Sequence, residues 1–288
     1  MILVTGVTGT LGKAVLAEVL PGGGRIRVLY RSKEDAATAP PGTDAAVADF
    51  ADKASLGPAL RGVDSLFLVC SPVPDLVQLE GNVIEAAEAA GVRRIVLNSA
   101  LGAGDYPKSF PAWHRQAEDK LTATKMAYCI VRPNSFMQNI LTYYAPSIRA
   151  QGAFYGSTGD SRYSYIDIRD IAAVIARALQ GGHDGRIYEL NGPAAFSNAE
   201  VAEKISQHAG VAAKYVDIPA EAQRKAMLDQ GMPEWQVKAL LELQEYYTGG
   251  QGATVDGVVE GLLGRPAITL DRFLEEFAGA FHPVVAGA

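Results

Sequence analysis

The sequence is short of cysteine: two in 288 residues. That is too few for a disulfide framework, and Cys70 and Cys129 both fall in apolar runs, where buried, reduced thiols are expected. Basic residues are outnumbered as well, with 26 Lys and Arg against 32 Asp and Glu for a net charge of −6. Nucleic acid and anionic membrane surfaces both require clustered cations, so neither is an expected partner and a small molecule is. Long apolar runs are missing, since none approaches the roughly 18 residues of a membrane span. The strand-like residues 2–5 follow Met1 with no basic or apolar leader, and the expectation is a cytoplasmic protein. Metal motifs are lacking too: there is no His-Glu-x-x-His or paired Cys-x-x-Cys, and the four histidines are scattered. No metal is expected, and without a Gly-x-Ser-x-Gly elbow neither is that class of hydrolase.

What the sequence does contain is alternation. Apolar, strand-like runs at residues 2–5, 25–30, 45–48, 65–69, 95–99 and 128–132 are separated by helical patterns at 11–20, 53–60, 75–90 and 113–124. Strands apolar on both faces, joined through helices, predict an α/β fold: a Rossmann-type, doubly wound parallel sheet. After Pro133 the rhythm changes, with a helical stretch, a Gly-rich passage at 151–160, a helix over 169–179 and a strand near 188–190. From Ser197 the pattern is mostly helical and carries no second phosphate loop. The expected organisation is a dinucleotide domain over 1–133, completed by about 163–192, and a smaller substrate lobe from 134–162 and 193–288.

The strongest motif is Thr5-Gly6-Val7-Thr8-Gly9-Thr10-Leu11-Gly12, placed between the first strand and the first helix. Glycines at this spacing let the backbone turn tightly and approach a pyrophosphate, whose charge the helix N-terminus stabilises. Gly6, Thr8, Gly9, Thr10, Leu11 and Gly12 are therefore candidate cofactor residues. NAD-binding units carry an acid at the end of the second strand for the ribose hydroxyls. Here the position holds Arg31, followed by Ser32 and Lys33, which offers cations and a hydroxyl to a 2′-phosphate and predicts NADPH. Asp49 and Phe50 follow the third strand, where the adenine is expected. Cys70, Ser71 and Pro72 end the fourth strand and Ser99 ends the fifth, so all four are further cofactor candidates.

Taken with Arg31, the glycine motif resembles the NmrA-like family of atypical short-chain dehydrogenases/reductases, which includes quinone, azo-dye and triphenylmethane-dye reductases. The resemblance extends over nearly the whole chain. It is carried by Trp113-His114-Arg115-Gln116-Ala117-Glu118, by the run from Val131 through Arg132, Pro133, Asn134, Ser135, Phe136, Met137 and Gln138 to Asn139, and by Tyr165-Ile166-Asp167-Ile168-Arg169-Asp170. Leu190-Asn191-Gly192-Pro193 and Gly231-Met232-Pro233-Glu234-Trp235 add to it. It implies that Pro133, Asn134 and Phe136 lie beside the nicotinamide.

Ordinary short-chain dehydrogenases place Tyr-x-x-x-Lys on the helix after the fifth strand; this chain has His114 and Glu118 there, one helical turn apart. Glu118 is expected to orient the imidazole and raise its pKa, as a general acid requires, and His114 matches the Lys position of the isoflavone-reductase-like enzymes. A surface helix pair explains the same spacing. Without the Tyr, an acceptor that takes hydride into a delocalised system is favoured: an electron-poor aromatic or quinone-like molecule. Trp113, Phe136, Met137, Tyr143, Tyr144, Phe154 and Tyr155 are pocket candidates, with ordinary core packing as the alternative for each. Two functions fit: an NADPH-dependent reductase, and a non-catalytic NADP(H)-sensing regulator that signals to a protein partner. The chain is expected to be a monomer or homodimer.

Overall fold

A computed structural model describes residues 1–283. In chain order, β1 (Ile2–Val4), α1 (Thr10–Val19), β2 (Ile26–Tyr30), α2 (Lys33–Ala36), β3 (Asp44–Val47) and α3 (Lys53–Leu60) come first. They are followed by β4 (Ser65–Leu68), α4 (Leu76–Ala89), β5 (Arg94–Asn98), α5 (Ser109–Thr122) and β6 (Ala127–Pro133). Next come α6 (Ala145–Gln151), β7 (Ala153–Gly156), β8 (Arg162–Tyr163), α7 (Ile168–Gln180) and β9 (Arg186–Leu190). Then β10 (Phe196–Ser197), α8 (Asn198–Ala209), β11 (Lys214–Asp217), α9 (Ala220–Asp229), α10 (Glu234–Thr248), α11 (Val258–Leu263) and α12 (Leu270–Glu276) complete the described chain. Two compact units result: Met1–Pro133 with Ile168–Glu189, and Asn134–Asp167 with the chain from Leu190 onward.

The first unit is built on a seven-stranded sheet of order β3-β2-β1-β4-β5-β6-β9, parallel from β3 through to β6. This is the doubly wound α/β fold that the alternating pattern predicts. β4 and β5 are buried almost throughout, as strands covered on both faces must be. On one face Leu56, Leu60, Val83, Ile84, Ala87 and Leu121, from α3, α4 and α5, pack on Leu3, Leu66, Leu68, Ile95, Leu97 and Ile130. Elsewhere α1 packs against α7, which also contacts β4, β5 and β6. Strand order reverses between β1 and β4, so the chain leaves the two strands in opposite directions and opens a crevice at their C-terminal ends.

The second unit is mostly helical, with α8 started by a capping box in which Ser197 and Glu200 satisfy each other's backbone. It also contains strand pairs that periodicity did not show: β7 with β11, parallel, and β8 with β10, antiparallel. They are two to four residues long, too short for an alternating pattern to register. A π-helical turn at Ile140–Tyr144 precedes α6. α12 ends at its C-cap Phe277, after which Ala278–Phe281 forms a separate 3₁₀ turn.

Candidate functional site

Thr5 closes the crevice floor. Its buried hydroxyl donates to the Phe67 carbonyl (2.9 Å) and accepts from the Val69 N–H (3.0 Å), tying the end of β1 to the end of β4. Gly6 then adopts φ +66°, and a Cβ there would strike Val69. A Cβ on Gly12 would overlap the Gly6 carbonyl, so these two glycines serve the protein's own packing. Gly9 differs. Its φ of −91° suits any residue, and a Cβ would meet only the Gly6 carbonyl at 3.3 Å. The chain itself makes little demand for glycine at position 9, and the exposed surface of Thr8, Gly9 and Thr10 is a cradle that a side chain would fill. Gly9 is the N-cap of α1, which has no side-chain cap and no acid in its first turn. The helix therefore presents its N-terminal partial positive charge to that cradle, an arrangement that fits a pyrophosphate.

Arg31 follows β2, is exposed and has no ion-pair partner among the described residues. It lies close enough to Cys70 for its charge to act on the thiol. Ser32 does not offer its hydroxyl to a phosphate as expected: it caps α2, accepting from the Asp35 N–H (3.0 Å) and donating to the Asp35 carboxylate (2.9 Å). After β3, Asp49 Oδ1 accepts from the Ala51 N–H (2.9 Å), and the Phe50 carbonyl accepts from Asn82 (2.8 Å), leaving the Phe50 ring half-buried. Cys70 is half-buried and Cys129 buried; burial pushes each thiol up to about 12, so neither is a thiolate at neutral pH. Ser71 and Pro72 are exposed at the same strand end.

α5 begins at Ser109, four residues earlier than its periodicity indicates. Among the described residues Ser109 is the one non-glycine at positive φ (58°), a strained start to the helix that carries His114 and Glu118. Both side chains are buried, which excludes the surface-pair reading. They also do not serve each other. Glu118 accepts from Ser99 (2.5 Å) and from Arg132, Nε to Oε1 at 2.9 Å and Nη2 to Oε2 at 2.6 Å. With Glu118 thus committed, His114 Nδ1 has no hydrogen-bond partner, and burial lowers the imidazole to about 4 instead of raising it. At neutral pH His114 is a neutral group. Sequence reasoning passed over Arg132 because it sits in an otherwise apolar strand. That interruption was the available signal.

In the second unit Asn134 is an internal tie. Its amide nitrogen lies 2.8 Å from Ser164 Oγ, 2.9 Å from Asn191 Oδ1 and 3.0 Å from the Gly252 carbonyl, and its oxygen accepts from the Ser135 N–H (2.7 Å). These bonds all lie within that unit. Phe136 is half-buried and bridges to Ile166, while Pro133 closes β6. Of the aromatic candidates, Tyr144 stacks on the buried Phe154 (4.1 Å between centroids) and Met137 is buried, whereas Tyr143 and Tyr155 are exposed.

An α/β sheet with an uncapped glycine turn at its switch point defines a dinucleotide-binding protein, and the family described as NAD(P)H-binding matches residues 6–181. The chain belongs to that family. It is 38% identical over 287 residues to NAD(P)H azoreductase of Xenophilus azovorans, covering 98% of this chain and 99% of that protein. It is 30% identical over 275 residues to quinone oxidoreductase 2 of Escherichia coli, covering 94% and 96%. The crystal structure of the Escherichia coli NADPH-dependent quinone oxidoreductase QOR2 complexed with NADPH superposes with a TM-score of 0.89 at 29% identity, over 96% of this chain and 99% of that one.

Proposed function

We propose that this protein is an NADPH-dependent oxidoreductase that passes a hydride to an electron-poor conjugated acceptor, a quinone or an azo dye. For the cofactor, the carrying observation is an unpartnered Arg31 where an NAD-specific site places an acid, beside the phosphate cradle at Gly9. The acceptor class is supported by the names of the two relatives above and by the chemistry of α5. A ketone needs a strong proton donor at oxygen in the transition state, and α5 carries a neutral imidazole and a carboxylate held by Arg132. A quinone or azo group takes the hydride into its π system and is protonated afterwards.

When bound, the cofactor supplies the hydride. The chain's share is to bind and orient. The cradle of Gly6, Thr8, Gly9, Thr10, Leu11 and Gly12 takes the pyrophosphate, Arg31 the 2′-phosphate, and Asp49 and Phe50 the adenine. Cys70, Ser71, Pro72 and Ser99 flank the ribose and nicotinamide path, with Pro133, Asn134 and Phe136 as further nicotinamide contacts. His114 is assigned a neutral hydrogen bond to the acceptor, and Glu118 the positioning of Ser99 and Arg132. The first unit carries the dinucleotide and the second selects the acceptor. No described helix is long and apolar enough to cross a membrane, and we place the protein in the cytoplasm as a monomer or homodimer. NADPH oxidation against quinones, azo dyes and triphenylmethane dyes tests the reading; turnover with members of this panel is expected. Tight NADPH binding with no turnover would overturn it in favour of a sensor.

A further inference from the structure

Tyr143 and Tyr144 are neighbours in the chain that face opposite ways. Tyr144 turns inward: its ring lies on Phe154 with 4.1 Å between centroids and 11° between planes, and its hydroxyl donates to Asn198 Oδ1 (3.2 Å). Tyr143 is 65% exposed, more than any other large apolar or aromatic side chain among the described residues, and it has no hydrogen bond or ring contact there. Both lie in the π-helical turn, where the Ala145 N–H reaches back five residues to the Ile140 carbonyl. Such turns are rare and recur at functional sites. The inward anchor of Tyr144 fixes the turn with Tyr143 projecting from it. Four residues before Tyr143, and so on the same helix face, Asn139 is half-buried with its side-chain amide likewise unpartnered among the described residues. Phe136, three residues further back, is half-buried and has no ring contact of its own among them. Its carbonyl accepts from the Asn139 N–H (3.0 Å), and that of Met137 from the Ile140 N–H (3.0 Å), so the chain is already wound from Phe136 onward. A half-buried ring, an uncommitted amide and an exposed ring thus succeed one another along one segment of the second unit.

We propose that Asn139 and Tyr143 bind a second aromatic ring of the acceptor, so that the site favours elongated two-ring molecules, diaryl azo compounds, over single-ring quinones. The proposal rests on the reading above, in which hydride is delivered beside Phe136. From Phe136 to Tyr143 is seven residues, about 10 Å of helical rise. A single ring held at Phe136 does not cover that span, whereas the outer ring of a two-ring acceptor reaches along it. The Tyr143 ring then meets the outer ring offset or edge-on, the arrangements that aromatic pairs prefer. The Asn139 amide, which both donates and accepts, meets a polar group between the rings or on the outer one. Both contacts are remote from the reacting atoms and change little as hydride moves. They add binding that ground state and transition state share, which lowers KM and leaves kcat alone.

With methyl red as the two-ring acceptor, Tyr143→Ala should raise KM about 2–10-fold, the worth of one aromatic pair, with kcat little changed. With benzoquinone neither constant should move. Tyr143→Phe should behave as the parent, because the ring and not the hydroxyl makes the contact, and Asn139→Ala should raise KM for methyl red alone. Melting curves should stay with the parent's, since the Tyr143 ring packs on no other ring and its hydroxyl bonds to nothing among the described residues. An unchanged KM for methyl red in Tyr143→Ala, or an equal rise for both acceptors, would overturn the proposal. Dye binding is also read without turnover, from the absorbance change of methyl red titrated with protein carrying NADP⁺. A parent that binds the dye more tightly than Tyr143→Ala yet reduces neither acceptor would sink the hydride-transfer reading and leave the ring contact standing. Parent and variant binding the dye alike, or a parent that does not bind it, would overturn the contact itself.

Discussion

Glu118 and Arg132 form a bidentate, buried ion pair, their side chains 3% and 10% exposed, that joins α5 to the end of β6. Gly104 makes the approach possible, since a Cβ there would lie 2.6 Å from Arg132 Nη1. A buried pair is worth little against apolar residues of the same shape, but removing one partner strands the other charge. Glu118→Ala or Arg132→Ala should each cost about 3–5 kcal/mol in urea unfolding, and Glu118→Leu with Arg132→Met should recover most of the loss. Single variants as stable as the parent would show that the pair is solvated in solution.

His114 links stability to pH. Its ordinary value of 6.5 falls to about 4 in the fold because burial disfavours the imidazolium. Between those values the unfolded chain binds the extra proton, so this contribution is complete above about 6.5 and is lost as pH falls toward 4. The loss amounts to about 3 kcal/mol. In His114→Asn that acid-side slope should disappear from melting curves recorded across the window. An NMR titration of native His114 near its ordinary value would contradict the burial.

Arg31→Ala should weaken NADPH binding by about 1.5–3 kcal/mol, the worth of a hydrogen bond to a charged group, and leave NADH nearly unchanged. Isothermal titration of both cofactors separates the outcomes. Equal losses for the two would remove the 2′-phosphate from Arg31.

The glycines of the turn should separate by role. Gly12→Ala forces a Cβ into the Gly6 carbonyl and should destabilise the fold itself. Gly9→Val meets little in the protein and should fold, yet fill the phosphate cradle and abolish binding of NADPH and NADH alike. A Gly9→Val variant that titrates normally would place the pyrophosphate elsewhere.

Much of the first unit was legible because its signals are local. A strand buried on both faces must be apolar along its length, and a helix crossing the sheet must repeat apolar residues every three to four positions, so β1 to β6 and α1, α3 and α4 stand out with ends correct to a residue or so. The Gly6 to Gly12 turn was legible for the same reason: the backbone geometry between β1 and α1 demands glycine at fixed offsets.

Partnership was not legible. The spacing of His114 and Glu118 is real, but one helical turn of separation does not say which neighbour a carboxylate will choose. Arg132, 14 residues away in sequence, offers a charged, two-pronged partner in a buried site, where a neutral imidazole cannot compete. The ties of Asn134 were hidden in the same way: Ser164, Asn191 and Gly252, all distant in the chain, accept from its amide nitrogen. Periodicity, turn chemistry and cofactor class are properties of neighbouring residues and belong to the sequence. Burial, ion-pair choice and the protonation states that follow depend on which groups the sheet brings together across long loops, and only the tertiary structure decided them.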